Sequence, residues 1–188
     1  MEGKCIILCA PSGAGKTSIT KYLLQQDLGL KFSISACNRE ARVGENNGVD
    51  YNFLSTEDFK NKIDKNEFVE WEEVYKDNYY GTLKSEITRI WEDGNSVIFD
   101  VDVEGGLSLT KHFGEKALAI FIKPPSFEAL EARLRGRGTE DEEKIQKRLA
   151  KAGKELEYAK WFDHIIVNEK LETAQQEVFT LVKSFLKK

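Results

Sequence analysis

The chain has 188 residues and carries 28 Lys and Arg against 32 Asp and Glu, a formal net charge of -4, with 40% hydrophobic and 32% charged side chains. That length suits about one domain with room for a mobile appendage or two, and the balance is that of an ordinary globular protein. It excludes a global positive field that would invite nucleic acid or an anionic membrane, so any basic site must be local. No run approaches the ~20 apolar residues of a membrane helix, and the expected setting is the cytoplasm, with no nucleic acid, membrane or obligate protein partner.

The first apolar run, Lys4 to Ala10, is continuous rather than alternating, as in a parallel strand buried on both faces. It is too short for a signal peptide. Cys5 and Cys9 on one strand lie about 13 Å apart, beyond disulfide reach, so with Cys37 they read as small buried hydrophobes. A helix follows over 16–26. From 33 to 82 the runs shorten and alternate, as in Phe68 to Val74, around one small helix near 56–65 opened by Ser55-Thr56-Glu57-Asp58, which reads as an inserted antiparallel subdomain. Continuous runs return at 96–101, 117–122 and 164–167, alternating with helices over 83–93, 126–136, 143–160 and 171–187. The stretch LRGRGTEDEEKIQK, 134–147, is so densely charged that it resists core burial and reads as a lid, or else as a solvated helix hairpin.

The rhythm is βαβ, hence an α/β fold of the P-loop NTPase type: a parallel sheet core flanked by helices, with an inserted mixed or antiparallel subdomain and a helical lid. The expected division gives the core 1–32, 84–126 and 149–188, the insert 33–83 and the lid 127–148.

CAPSGAGKT, residues 9–17, nearly matches the phosphate loop G-x-x-x-x-G-K-[ST], with Ala10 in the first position, then Pro11, Ser12, Gly13, Ala14, Gly15, Lys16 and Thr17. Its glycines bring successive N–H groups to phosphate oxygens, and the following helix offers its positive end. Lys16 supplies a point charge to the β- and γ-phosphates, and the Thr17 hydroxyl suits Mg²⁺. Residues 10–17 with Ser18 form the expected ATP loop. Ala10 suffices at the strand exit if its φ is negative.

Further strings then follow in order: SISACNREARVGE from 33, GVDYNF from 48, EFVEWEE from 67, NYYGT from 78, DVDVEG at 100–105, PPS at 124–126, LRGRGTEDEEKIQKRL at 134–149 and IIVN at 165–168. Over nearly its whole length the chain resembles the guanylate kinases. The resemblance implies ATP-dependent phosphorylation of GMP, and of dGMP with it, by direct in-line transfer, with Mg²⁺ brought by ATP, and with the insert and lid closing to exclude water.

Residue roles follow from that resemblance and from chemistry. Arg39 and Arg42, with the hydroxyls of Tyr51 and Tyr80, suit a nucleoside monophosphate dianion. By resemblance Glu70 and Ser35 read guanine, Asp102 lies near the exocyclic amine and Thr82 adds a polar contact. Asp100 ends a strand, where it serves either a Mg²⁺-bound water or an arginine such as Arg39. Arg133, Arg137 and Arg148 match lid arginines that reach ATP, with a surface salt bridge open for Arg133, and Asn168 matches a residue beside adenine. The catalytic set is Lys16, Arg39, Arg137 and Arg148. Departures from the family strings are Ala10, Cys37-Asn38 for Thr-Thr, Ala41 for a frequent proline and Glu104 for a common glutamine. Two other readings compete: a protein-binding module that has lost catalysis, and a kinase for another phosphorylated acceptor such as a ribose bisphosphate.

Overall fold

The computed structural model describes residues 3–136 and 142–187. In chain order, β1 (Cys5–Cys9), α1 (Lys16–Leu24) and β2 (Leu30–Phe32) open the chain. The insert contains β3 (Ala36–Cys37), β4 (Asn52–Phe53), α2 (Thr56–Asp64), β5 (Phe68–Tyr75) and β6 (Asn78–Leu83). Then come α3 (Lys84–Glu92), β7 (Ser96–Asp100), α4 (Val103–Phe113) and β8 (Ala117–Lys123). The remainder is α5 (Phe127–Arg135), α6 (Glu142–Glu157), β9 (His164–Val167) and α7 (Leu171–Lys187). None of these helices is long and apolar enough to cross a membrane.

Five strands form the main sheet in the order β2-β7-β1-β8-β9, and every neighbouring pair is parallel. Successive side chains of β1 point to opposite faces, which sorts them into two clusters. Ile6 and Leu8 pack with Ile19 and Leu23 of α1 and Val178 and Val182 of α7. Cys5, Ile7 and Cys9 pack with Ile87 and Ile90 of α3 and Leu109 of α4. This two-faced burial is the reason the strand reads as a continuous apolar run. The run at 164–167 departs from that expectation: β9 is an edge strand whose Ile165 and Val167 are exposed.

Two elements of the core have no counterpart in the sequence-based expectation. β2 is a three-residue strand beside β7, too short to show periodicity. α4 begins at DVDVEG, where Gly105 and Gly106 argue against a helix on propensity. Packing overrides propensity there, because a Cβ on Gly106 would collide with the Cys9 sulfur and push α4 off β1.

The insert forms a second sheet, β4-β3-β6-β5, parallel between β3 and β4 and antiparallel elsewhere. It has its own apolar cluster, in which Phe59 of α2 stacks on Phe68 at 4.4 Å and on Tyr79 at 5.6 Å. A fourth cluster joins Leu130 and Leu134 of α5 to Ile145, Leu149 and Ala152 of α6. The charged stretch is therefore not wholly excluded from burial as expected: Leu134 and Ile145 point into this small core while their charged neighbours face out.

Candidate active site

The loop between β1 and α1 turns at Gly13 (φ 92°) and Gly15 (φ 101°), left-handed conformations that other residues adopt with strain. Among the described non-glycine residues only Asn66 and Asp77 have positive φ, so Ala10 accommodates the turn without glycine. The side chains of Ser55, Asp102 and Ser126 cap α2, α4 and α5, whereas α3 has no side-chain cap and α1 likewise starts at Gly15 without one. Its first-turn N–H groups are left for an anion, in line with the positive end of the helix.

Behind the loop, Asn168 is 3% exposed and donates from Nδ2 to the Ala14 carbonyl at 2.7 Å. Arg133 donates to the Asn168 carbonyl at 2.8 Å. Both residues thus support the loop from the β9 side, and a Cβ on Gly15 would strike the Asn168 amide. The Asn168 Oδ1 is buried with no partner among the described residues.

Two cavities flank Lys16. One, about 380 Å³, is lined by Ala10, Pro11, Ser12, Gly13, Gly15, Thr17, Ser18, Arg148 and Glu155. The other, about 340 Å³, is lined by Ser35, Tyr51, Glu70, Glu72, Tyr80 and Asp100. Lys16, Asp102 and Lys151 line both. The Lys16 ammonium is held 2.5 Å from Asp100 Oδ1 and 2.5 Å from the Val101 carbonyl. Asp100 here pairs with a lysine, a partner that neither of the two expected roles includes.

In the second cavity Glu70 of β5 lies opposite Thr82 of β6, and the Thr82 hydroxyl donates to Glu70 Oε1 at 2.6 Å. Thr82 is fully buried, so it orients the carboxylate. Burial raises the Glu70 pKa, with the Asp102 charge adding and the Thr82 hydrogen bond opposing. Asp102 accepts from the Gly105 N–H at 2.9 Å, capping α4. A Cβ on Gly105 would sit 3.3 Å from both Asp102 Oδ1 and Glu70 Oε2, so glycine keeps this carboxylate wall open.

Arg39 is fixed on every side. Glu45 receives two of its N–H groups at 2.6 and 2.7 Å, and its Nε donates to the Tyr80 hydroxyl at 3.1 Å. Its guanidinium lies 4.9 Å from the Tyr51 ring centroid. The bidentate pair, with the Arg42 N–H as a further donor, pulls the Glu45 carboxyl down to about 2. The Arg42 side chain is exposed and outside both cavities. Arg137 lies outside the described residues.

Sequence reasoning missed four of the residues found here. Glu45 stands inside the quoted string NREARVGE, six residues after Arg39, and only folding of that loop makes it the arginine's partner. Glu72 shares the cavity with Glu70 because residues two apart on a strand face the same side. It does not point to solvent beside Glu73, as its strand position alone allows. Burial and the neighbouring Asp102 push its carboxyl up to about 7. Lys151 and Glu155 follow Arg148 at helical spacing on α6, a signal present in the sequence.

The family model described as guanylate kinase matches residues 2–185. The chain belongs to the guanylate kinase family. A guanylate kinase of Bacteroides thetaiotaomicron is 52% identical over 188 residues, covering 100% of this chain and 92% of the relative. One of Porphyromonas gingivalis is 50% identical over 186 residues, covering 98% of this chain and 99% of the relative. Among solved structures, the guanylate kinase of Anaplasma phagocytophilum superposes with a TM-score of 0.78 at 28% identity, covering 99% of this chain and 87% of that one. Guanylate kinases are enzymes, and the fold seen here, a parallel five-stranded core with a second mixed sheet, is the one this family member shares.

Proposed function

We propose that the protein transfers the γ-phosphoryl group of ATP to GMP, giving ADP and GDP. The observation that carries this reading is that the two cavities meet at Lys16, one walled by the loop at 10–17 and the other by the carboxylates of Glu70, Glu72 and Asp102 with Tyr51 and Tyr80. The acceptor assignment rests on donor and acceptor chemistry. Guanine presents N1–H and N2–H donors, and Glu70, oriented by Thr82, offers a carboxylate to them. Ser35 lines the same cavity, where a hydroxyl suits O6. Adenine would turn a lone pair toward Glu70, and mispaired buried groups allow rejection by about 10⁴-fold. Base and phosphate are both present in dGMP, so it is expected to serve as well.

In this mechanism the loop N–H groups and the start of α1 hold the donor phosphates, with Arg148 lining the same cavity. Arg39, kept rigid by Glu45 and Tyr80, binds the acceptor phosphate. Arg42 and Arg137 are expected to join the phosphates on closure. Lys16 leaves Asp100 to follow the charge that develops on the transferred group. The donor set fits Mg²⁺: the Thr17 hydroxyl lines the phosphate cavity, and a hard cation takes oxygen ligands from protein, phosphate and water. When bound, the ion supplies charge neutralisation to the phosphates.

The test is a coupled ADP assay with GMP, AMP, UMP and ribose phosphates, run on the parent and on Glu70→Gln. The variant places an amide donor against a guanine donor, a loss of about 2–4 kcal/mol. Its kcat/KM for GMP is therefore expected to fall roughly thirtyfold to a thousandfold, with ATP affinity little changed. A change below about threefold removes Glu70 from the acceptor site.

A further inference from the structure

Of the three residues common to both cavities, Lys16 opens α1 and Asp102 caps α4, each just past a core strand, while Lys151 comes from α6, the second helix of the α5–α6 hairpin. The Lys151 ammonium lies 3.8 Å from Asp102 Oδ2 and 3.7 Å from Glu155 Oε1. Both separations exceed a hydrogen bond, so Lys151 acts on these two groups by charge. Glu155 is 9% exposed and lines the phosphate cavity, an unusual place for a carboxylate. Burial raises its pKa and the Lys151 charge opposes that rise. Lys151 opposes the rise at Glu72 in the same way, against burial, Asp102 and Glu104.

The charge problem at this point is sharp. Two phosphate anions must meet here, yet Asp102 and Glu155 already place negative charge at the meeting place, and Lys16 is paired with Asp100. We propose that Lys151 is a positioning residue for phosphoryl transfer, neutralising Asp102 and Glu155 so that donor and acceptor phosphates can approach together over Lys16. This inference rests on the acceptor reading above and extends it, by making α6 a supplier of junction charge. Because the lysine side chain is half exposed, its ion pairs contribute little to stability. Its loss should therefore appear in kinetics and not in folding.

Lys151→Met keeps the apolar stem and removes the charge, while Lys151→Arg keeps the charge. In the full chain, Lys151→Met is expected to lower kcat/KM for both nucleotides by about ten- to a hundredfold, with Tm within about 2 °C of the parent. Lys151→Arg should recover activity to within about threefold of the parent. Adding Glu155→Gln to Lys151→Met should restore part of the loss by removing one uncompensated carboxylate. Calorimetric titration with ATP alone, which needs no acceptor, should show weaker binding to Lys151→Met. An active parent with Lys151→Met unchanged within about twofold, a loss confined to one nucleotide, or no recovery in the double variant overturns the inference and leaves the acceptor reading standing. An inactive parent whose ATP affinity still depends on Lys151 removes the acceptor reading and keeps the lysine's role toward the donor phosphates.

Discussion

Glu72 shows how one side chain acquires chemistry from its neighbours. An ordinary glutamate titrates near 4.5, but burial and Asp102 raise this one to about 7. A carboxyl raised in the folded state is more easily protonated there than in the unfolded chain. Its contribution to stability is therefore complete below 4.5 and is lost as pH rises through about 7. Glu72→Gln cannot ionise, so its Tm should fall less than the parent's between pH 5 and pH 8, as read by circular dichroism melts. Parallel curves for the two proteins would return Glu72 to the ordinary range. Some slope should remain in the variant, because burial also raises Glu70 and Glu155. The departure at Asn38 also has a local account. Its amide donates to Thr56 and to the Asp77 carbonyl at 2.9 and 2.8 Å and accepts from the Tyr79 N–H at 2.7 Å, stitching the insert together.

At the scale of elements, the α5–α6 hairpin is held by a cluster separate from those on either face of the main sheet. Leu149 is 5% exposed and central to that cluster. Leu149→Ala is expected to cost about 2–4 kcal/mol, concentrated in the hairpin because Leu149 packs in the hairpin's own cluster and in neither of those on the main sheet. Hydrogen exchange should accelerate across 127–157 while β1, β7 and β8 keep their protection. Turnover should also fall, since Arg148 and Lys151 stand on the same helix. Uniform acceleration over the whole chain would mean that the hairpin and sheet unfold as one unit.

For the whole molecule, the core, the insert and the hairpin each own an apolar cluster, and the two cavities open where these units meet. Units with separate cores can move about their connections without breaking their own packing. GMP together with a non-hydrolysable ATP analogue is expected to compact the protein, excluding water from the transferred group. Small-angle scattering reads this as a smaller radius of gyration than for the protein alone. Superimposable profiles would count against closure.

The core strands at 5–9, 96–100 and 117–123 and the loop at 10–17 were legible in the sequence because their physics is local. Two-faced burial writes a continuous apolar run, and a phosphate loop writes its glycines, lysine and threonine side by side. The family strings carried Ser35, Tyr51, Glu70, Tyr80 and Asp102, which the fold brings to one cavity wall. What only the tertiary structure decided depends on residues far apart in the chain. Lys16 finds Asp100 because parallel pairing sets β7 beside β1. Glu72, Asp102 and Lys151 converge from the second sheet, the start of α4 and the α5–α6 hairpin, with no spacing to announce it. β9 is apolar like its neighbours yet exposed, because being last in the sheet is a property of strand order and not of composition.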